Sequence, residues 1–146
     1  PSGVSYMLEN RETMMAMFPE LFMRVGVESV SNYPRRLARS LAACAPSITT
    51  GKPNIAVLTP GIYNSAFFEH AFLAEQMGAE LVEGSDLRVE GSRVAMRTTD
   101  GYKPVDVLYR RVDDDFLDPL TFNPASVLGV PGIMDVYRAG GITIAN

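Results

Sequence analysis

The chain contains 146 residues, of which 47% are hydrophobic and 21% charged, with a net charge of −4 and one cysteine. This length predicts one domain or one compact lobe of a larger protein, and the hydrophobic content argues against disorder. The acidic balance disfavours a nonspecific nucleic-acid binder, and no apolar run reaches the roughly 18 residues of a membrane span. The lone Cys44 excludes an intrachain disulfide, and we expect it to be a buried small apolar residue. Together these features predict a soluble cytoplasmic lobe.

The first predicted element is a helix, because apolar residues recur at three- and four-residue intervals between Tyr6 and Val25. Pro19 should kink or split this helix, and Gly26 suits its C-terminus. Several methionines crowd the same segment, which is typical of adaptable core filler or of a face that packs on another domain. A second amphipathic helix is predicted over 33–45, with arginines that suit a solvated face or, alternatively, a phosphate patch.

Glu9, Asn10 and Arg11 form a polar group near the start of the first helix. They offer a carboxylate, an amide oxygen and a guanidinium in succession, which are the groups that hard-cation and phosphate sites use. Consecutive helical residues do not all face one way, so helix capping and surface pairing are the alternative interpretation.

The middle of the chain alternates between strands and helices after a linker at 46–53. An apolar run at 55–59 predicts a buried strand, a helix follows over 66–77, and 79–82 is the next strand. This unit predicts an α/β, Rossmann-like lobe, with helices on both faces of a parallel or mixed sheet. Further strands are expected at 87–89, 94–98, 105–109 and 142–145, the first two as a hairpin, with turn and helix over 126–137.

The first candidate site follows the strand at 55–59, because ligands of open parallel sheets bind beyond the carboxyl ends of the strands. Gly61 would let a ligand approach the backbone, and Asn64 or Ser65 can cap the next helix, whose N-terminus would attract a carboxylate or phosphate. An ordinary capped turn is the alternative. The candidate substrate-binding residues are Gly61, Tyr63, Asn64 and Ser65.

The second candidate site lies at 110–115, where two arginines and three aspartates follow the end of the strand predicted at 105–109. Arginines can clamp an anion beside carboxylates that hold an amine or a metal. The alternative is an ion-pair network that neutralises itself and fixes the loop. The candidate catalytic residues are Arg110, Arg111 and Asp113.

His70, the only histidine, is expected to be structural and bonded to backbone or to a neighbouring acid, with acid–base catalysis as the alternative.

Five sequence blocks together resemble one family. They are PSGVSYMLENR at 1–11, LTPG at 58–61 with NSAFFEHAFLA at 64–74, MGAELVEG at 77–84, YRRVDDDFLDP at 109–119 and LGVPG at 128–132. Over essentially its whole length, the chain resembles the circularly permuted ATP-grasp type 2 proteins. Members of that family are much longer and continue on both sides of this segment.

The resemblance implies a fold related to glutathione-synthetase-like carboxylate–amine ligases, which phosphorylate a carboxylate with MgATP and pass the acyl phosphate to an amine. It implies Glu9 and Asn10 as Mg²⁺ ligands, although they are adjacent here rather than separated by one residue, and Arg11 as a phosphate contact. It assigns residues 1–50 to the ATP-grasp region and 51–146 to a Rossmann-like lobe that helps to form the acceptor-substrate pocket.

We therefore expect a fragment of an ATP-dependent ligase that forms an amide or peptide bond, with little of the ATP site and no activity by itself. ATP and Mg²⁺ are the expected cofactors of the longer protein, and a small-molecule carboxylate and an amine are its expected substrates. The chain stops just after the strand at 142–145, so the rest of the parent chain is expected to cover the exposed sheet edge. One alternative is a non-catalytic module that binds a small anion or peptide; another is a scaffold lobe for a partner protein.

Overall fold

The computed structural model describes residues 3–146, so residues 1 and 2 of the first sequence block lie outside the described residues. The helices are α1 (Val4–Met17), α2 (Pro19–Val25), α3 (Tyr33–Ala43), α4 (Phe67–Met77), α5 (Asp114–Leu117) and α6 (Ile133–Arg138). The strands are β1 (Ile55–Leu58), β2 (Glu80–Val82), β3 (Leu87–Glu90), β4 (Arg93–Thr98), β5 (Gly101–Val105), β6 (Val107–Arg110) and β7 (Thr143–Ala145).

The strands form two sheets of different kinds. A four-stranded parallel sheet has the order β2-β1-β6-β7, and a three-stranded antiparallel sheet has the order β3-β4-β5. β1 and β6 are the two central strands of the parallel sheet, and their last residues, Leu58 and Arg110, are register partners. The loops that follow β1 and β6 therefore begin side by side.

Each face of the parallel sheet has its own hydrophobic core. Val57, Val107 and Tyr109 face α3 and α4, where they meet apolar residues such as Leu41 and Leu73. The other face of the sheet packs on the antiparallel sheet and α6. Its buried residues include Ala56, Leu58, Val94, Leu108, Ile133 and Val136. Because successive residues of a strand face opposite sides, the apolar run of β1 serves both cores. The predicted α/β class, with a parallel sheet and helices, is confirmed.

The strand predicted at 105–109 is broken at Asp106, where the chain passes from the antiparallel sheet into the parallel one. The carboxylate of Asp106 is buried and binds three groups from distant parts of the chain. These are the Thr49 hydroxyl at 2.9 Å, the Asn54 backbone N–H at 2.8 Å and the Arg93 guanidinium at 2.9 Å. Apolar residues on both sides of Asp106 conceal this break in the sequence. β5 was not predicted because most of its residues are exposed.

The N-terminal helical segment consists of three helices, because Pro19 splits the first predicted helix into α1 and α2. Pro19 begins α2, where its missing N–H costs no helical hydrogen bond, and Gly26 ends α2 in the left-handed conformation.

The expectation that Cys44 is buried was wrong: α3 ends at Ala43, and Cys44 is exposed in the turn that follows.

Large apolar side chains remain exposed on α1, on α2 and just beyond them. They are Tyr6, Met7, Met14, Met15, Met17, Phe18, Leu21, Met23, Val25 and Val27. α1 is anchored to the rest of the fold by the buried residues Ser5 and Leu8. The methionine-rich segment is therefore a surface feature of this chain, which favours a face that packs on another domain over core filler. Within residues 3–146, none of the helices combines the length and hydrophobicity needed to cross a bilayer.

Candidate functional site

The structure brings the two predicted loops together at the carboxyl edge of the parallel sheet. The Thr59 N–H donates to the Val82 carbonyl at 2.9 Å, and the Arg111 N–H donates to the Leu58 carbonyl at 2.8 Å. The Asn146 side-chain amide, after β7, donates to the Arg110 carbonyl at 3.0 Å. The ends of all four parallel strands are therefore linked at this edge, where open α/β sheets bind ligands.

Arg110 and Arg111 do not converge, because neighbouring residues of a strand face opposite sides of the sheet. The Arg111 guanidinium pairs with the Glu69 carboxylate of α4 at 2.7 Å, and these side chains are only 9% and 3% exposed. Arg110 turns the other way, pairs with Asp114 and donates to the Val112 carbonyl at 2.8 Å. Asp113 is exposed at the start of α5. Arg111 is thus committed inside the fold, whereas the Arg110 side chain is 20% exposed and Asp113 lies at the surface.

His70 supports the loop after β1 through the side chain of Thr59. The Thr59 hydroxyl lies 2.9 Å from His70 Nδ1 and accepts the Gly61 N–H at 3.3 Å. Burial lowers the pKa of His70 below its ordinary 6.5, the positive charge of Arg111 lowers it further, and Glu69 partly opposes both effects. The imidazole is therefore neutral at neutral pH and bonded to a hydroxyl, rather than to backbone or to an acid.

Glu69 is a buried carboxylate that the sequence alone did not single out. Its Oε1 binds Arg111, its backbone carbonyl accepts the Ser5 hydroxyl at 2.9 Å, and its Oε2 has no hydrogen-bond partner within residues 3–146. The available signal was positional: Glu69 lies on the buried face of α4 together with His70, Leu73 and Ala74. A carboxylate on an apolar helix face requires a partner charge, and Arg111 supplies it.

Gly61 and Asn64 shape the loop at 59–65, in addition to the support that it receives from His70. Gly61 has φ 101°, and a Cβ there would lie 3.0 Å from the carboxylate of Glu83, the residue after β2. Asn64 Oδ1 accepts the Ala66 N–H at 2.9 Å, which makes a turn before α4 rather than a cap on it. Tyr63 is 98% exposed and Ser65 is also exposed, so both side chains are open to a ligand. The role of all four predicted residues stays a prediction.

Glu9, Asn10 and Arg11 lie on α1, away from the sheet edge. Asn10 and Arg11 line a surface depression of about 430 Å³ that does not include Glu9. The Arg11 guanidinium donates to the Glu28 carbonyl at 2.9 Å and lies 5.9 Å from the centre of the Phe22 ring. Successive helical side chains point about 100° apart, and residues 3–146 contain no cluster of three or more acidic, histidine or cysteine side chains suited to a metal. The role of Glu9 and Asn10 as Mg²⁺ ligands stays a prediction.

Asp118, the last carboxylate of the YRRVDDDFLDP block, is structural. Its buried carboxylate accepts the backbone N–H groups of Leu120, Gly132 and Met134 and the Thr121 hydroxyl. Burial raises the pKa of Asp118, but these hydrogen bonds outweigh burial and hold the pKa below its ordinary value. The carboxylate therefore joins the YRRVDDDFLDP and LGVPG blocks rather than facing a ligand.

Comparison with known proteins shows which sequences this chain is similar to. The family model for circularly permuted ATP-grasp type 2 matches residues 1–146. An uncharacterized Synechocystis protein is 54% identical over 146 residues, which cover 100% of this chain and 30% of that protein. A Mycobacterium tuberculosis protein, also uncharacterized, is 52% identical over 146 residues, covering 100% of this chain and 26% of the relative.

A Frankia alni protein, named provisionally as a glutamate–cysteine ligase, is 43% identical over 147 residues, covering 100% of this chain and 17% of the relative. The chain thus spans less than a third of the length of each of these relatives. The match to the family model over the whole chain decides the family. The chain belongs to the circularly permuted ATP-grasp type 2 family.

Proposed function

We propose that the longer protein is an ATP-dependent ligase that joins a carboxylate to an amine, and that this segment contributes the acceptor-substrate lobe. The observation that carries this proposal is the meeting of residues 59–65 and 110–115 at the carboxyl edge of the parallel sheet. Family membership and the name of the Frankia relative support a ligase class of reaction. The chain covers 17% of that relative, so its name supports the class of reaction and not the acceptor.

The proposed reaction proceeds through an acyl phosphate. A carboxylate oxygen of the acid attacks the γ-phosphorus of ATP, the bond to the β–γ bridging oxygen breaks, and ADP leaves. The amine then attacks the acyl carbon, loses a proton, and releases inorganic phosphate that carries one oxygen of the original carboxylate. We assign most of the ATP site to the rest of the longer protein, and we propose that Glu9 and Asn10 contribute to its Mg²⁺ site together with ligands from outside this chain.

Within this chain, the sheet-edge residues that solvent reaches fully or in part are the best candidates for direct contact with substrate. Arg110 would bind an anionic group through its guanidinium, and the exposed carboxylate of Asp113 would attract the ammonium of the acceptor. Tyr63 and Ser65 would contact the rest of the acceptor. Arg111 would act indirectly, because its charge is already paired with Glu69 inside the fold.

Oxygen-18 labelling of the acid tests the acyl phosphate. The longer protein, supplied with ATP, an amine and an acid labelled in its carboxylate, should release phosphate that carries one labelled oxygen. Phosphate without label would rule out an acyl phosphate. Tight binding of an acid or peptide with no ADP release would instead favour the non-catalytic binding module.

The exposed apolar side chains of α1 and α2 favour a second role for this segment, as an interface within the longer protein. Met17, Met23 and Val25 are each more than 60% exposed. Most of the length of each relative lies outside the region that matches this chain, and further polypeptide of that length could bury them. Hydrogen exchange at 14–27 should be slower in the longer protein than in this chain. Equal exchange rates would point to a separate partner protein instead.

A further inference from the structure

We propose that Glu69 and His70 are positioning residues of the acceptor site, because these adjacent residues of α4 fix the ends of both central strands. This inference rests on the proposed function, since it concerns how the same sheet edge is held ready for its substrate. Neither residue needs to contact substrate.

Glu69 fixes the end of β6. Its carboxylate holds the Arg111 guanidinium at 2.7 Å, with both side chains almost excluded from solvent. An ion pair of this kind is strong because the surrounding dielectric is low, so Arg111 has little freedom to move. With Arg111 tied to α4, the preceding residue, Arg110, is directed to the opposite side of the sheet, beside Asp114.

His70 fixes the end of β1. The Thr59 hydroxyl accepts the Gly61 N–H, so its own proton is free to be donated to His70 Nδ1 at 2.9 Å. This arrangement requires a neutral imidazole with its proton on Nε2. The chain of bonds from Gly61 through Thr59 to His70 sets the direction in which the loop at 59–65 leaves the sheet.

Glu69 also holds α1, which carries Glu9, Asn10 and Arg11. The buried Ser5 hydroxyl donates to the Glu69 carbonyl at 2.9 Å. Every segment that contains a candidate site residue is thus attached to residues 69–70 of α4.

A role in stability alone does not explain why Glu69 and Arg111 form a buried ion pair. Glu69 Oε2 is buried with no partner within residues 3–146, and an unsatisfied carboxylate oxygen destabilises the fold. An apolar pair at 69 and 111 would avoid that cost but would not direct Arg110 or the loop after β1. Such exceptions to efficient packing concentrate at functional sites.

Nuclear magnetic resonance of this chain tests the geometry, because His70 is its only histidine. The nitrogen-15 shifts should identify the Nε2–H tautomer, with Nδ1 as an acceptor. Thr59→Val, which removes the hydroxyl, should shift the population toward the Nδ1–H tautomer. An Nδ1–H tautomer in the unmodified chain, or no response to Thr59→Val, would overturn the proposed arrangement.

Steady-state kinetics of the longer protein test the positioning role. Glu69→Gln and His70→Ala should lower kcat/KM for the acceptor by up to about 100-fold, chiefly through a raised KM, because a misplacement of about 1 Å can cost that much in rate. The KM for ATP should stay within about twofold. His70→Asn should recover part of the loss, since its Oδ1 can accept the Thr59 hydroxyl proton. Glu75→Gln, an exposed position on the same helix, is the matched control and should have no effect.

The pattern of KM and kcat separates positioning from loss of folded protein. Partial unfolding lowers kcat alone, because the remaining folded molecules keep their normal KM. An unchanged acceptor KM in the active Glu69→Gln and His70→Ala variants would therefore refute the inference while leaving the proposed ligase intact. If the unmodified longer protein releases no ADP with any amine, the proposed function fails, and this inference fails with it.

Discussion

Arg110 and Arg111 are neighbours in the chain, but their guanidinium groups pair with carboxylates on opposite sides of the parallel sheet. Arg111 reaches Glu69 on α4, and Arg110 reaches Asp114 at the start of α5. The first pair is almost fully buried, whereas the Asp114 side chain is 73% exposed. These two adjacent arginines therefore contribute differently to stability: Arg111 pairs with a buried carboxylate, and Arg110 pairs with an exposed one.

Removal of each partner carboxylate should reveal this difference in the free energy of unfolding. Glu69→Ala leaves the Arg111 charge buried without a partner and should cost about 3–5 kcal/mol. Asp114→Ala removes a solvent-screened partner and should cost about 1 kcal/mol or less. Urea unfolding of the chain measures both values. Equal losses in the two variants would contradict the assignment of Arg111 to the interior.

The stability of the chain should fall on acidification. His70 has a lowered pKa in the folded state, so the unfolded chain takes up its proton first as the pH falls. The stability that His70 contributes is thus present above its ordinary pKa of 6.5 and is lost as the pH falls through the folded pKa. Asp118 behaves likewise at lower pH. The stability that it contributes is present above its ordinary pKa of 3.8 and is lost as the pH falls through its folded pKa.

In His70→Gln, urea unfolding across this pH range should no longer show the loss of stability that is assigned to His70. The charged groups nearest His70, Arg111 and Glu69, remain in that variant, so a loss below pH 6.5 that survives unchanged would contradict its assignment to His70. A wild-type chain that became more stable below pH 6.5 would contradict the assigned direction.

Gly129 of the LGVPG block should not tolerate a side chain. A Cβ at this position would overlap the backbone carbonyls of Phe116 and Leu117, which cannot move without disturbing α5. Gly129→Ala should therefore cost about 3 kcal/mol or prevent folding. Gly51→Ala, in an open linker with φ 77°, is the matched control and should cost only about 1 kcal/mol of backbone strain. Thermal or urea unfolding measures the loss of stability in both variants. Similar losses in Gly129→Ala and Gly51→Ala would contradict the close packing at Gly129.

The chain by itself should not bind MgATP in the micromolar range. Glu9 and Asn10 are the metal ligands that the family resemblance implies, and residues 3–146 contain no cluster of three or more acidic, histidine or cysteine side chains around them. Isothermal titration calorimetry of the chain with MgATP measures this directly. Micromolar affinity would contradict the assignment of most of the ATP site to the rest of the longer protein.

Local sequence signals predicted much of the fold. The apolar run of β1, the helix predicted over 66–77 and the strand predicted at 79–82 identified the strand–helix–strand unit that β1, α4 and β2 form. Pro19 likewise predicted the boundary between α1 and α2. These features depend on residues close together in the chain, so periodicity and backbone preference suffice to find them.

The remaining features depend on tertiary contacts. Asp106 breaks a continuous apolar run because its carboxylate binds Thr49, Asn54 and Arg93, which no local pattern connects. Glu69 and Arg111 are 42 residues apart and meet only because α4 packs beside the end of β6. The sequence therefore predicted which loops reach the sheet edge but not which arginine the interior uses.

Amine-dependent release of ADP by the longer protein is the direct test of whether it is a carboxylate–amine ligase. The assay supplies ATP, Mg²⁺, candidate acids and a set of amino acids and amines, and compares the unmodified protein with Asp113→Asn. We expect ADP release that requires both an acid and an amine, with a raised KM for the amine in Asp113→Asn. ADP release that is independent of any amine, or tight ligand binding with no turnover, would contradict the assignment of this segment to a carboxylate–amine ligase.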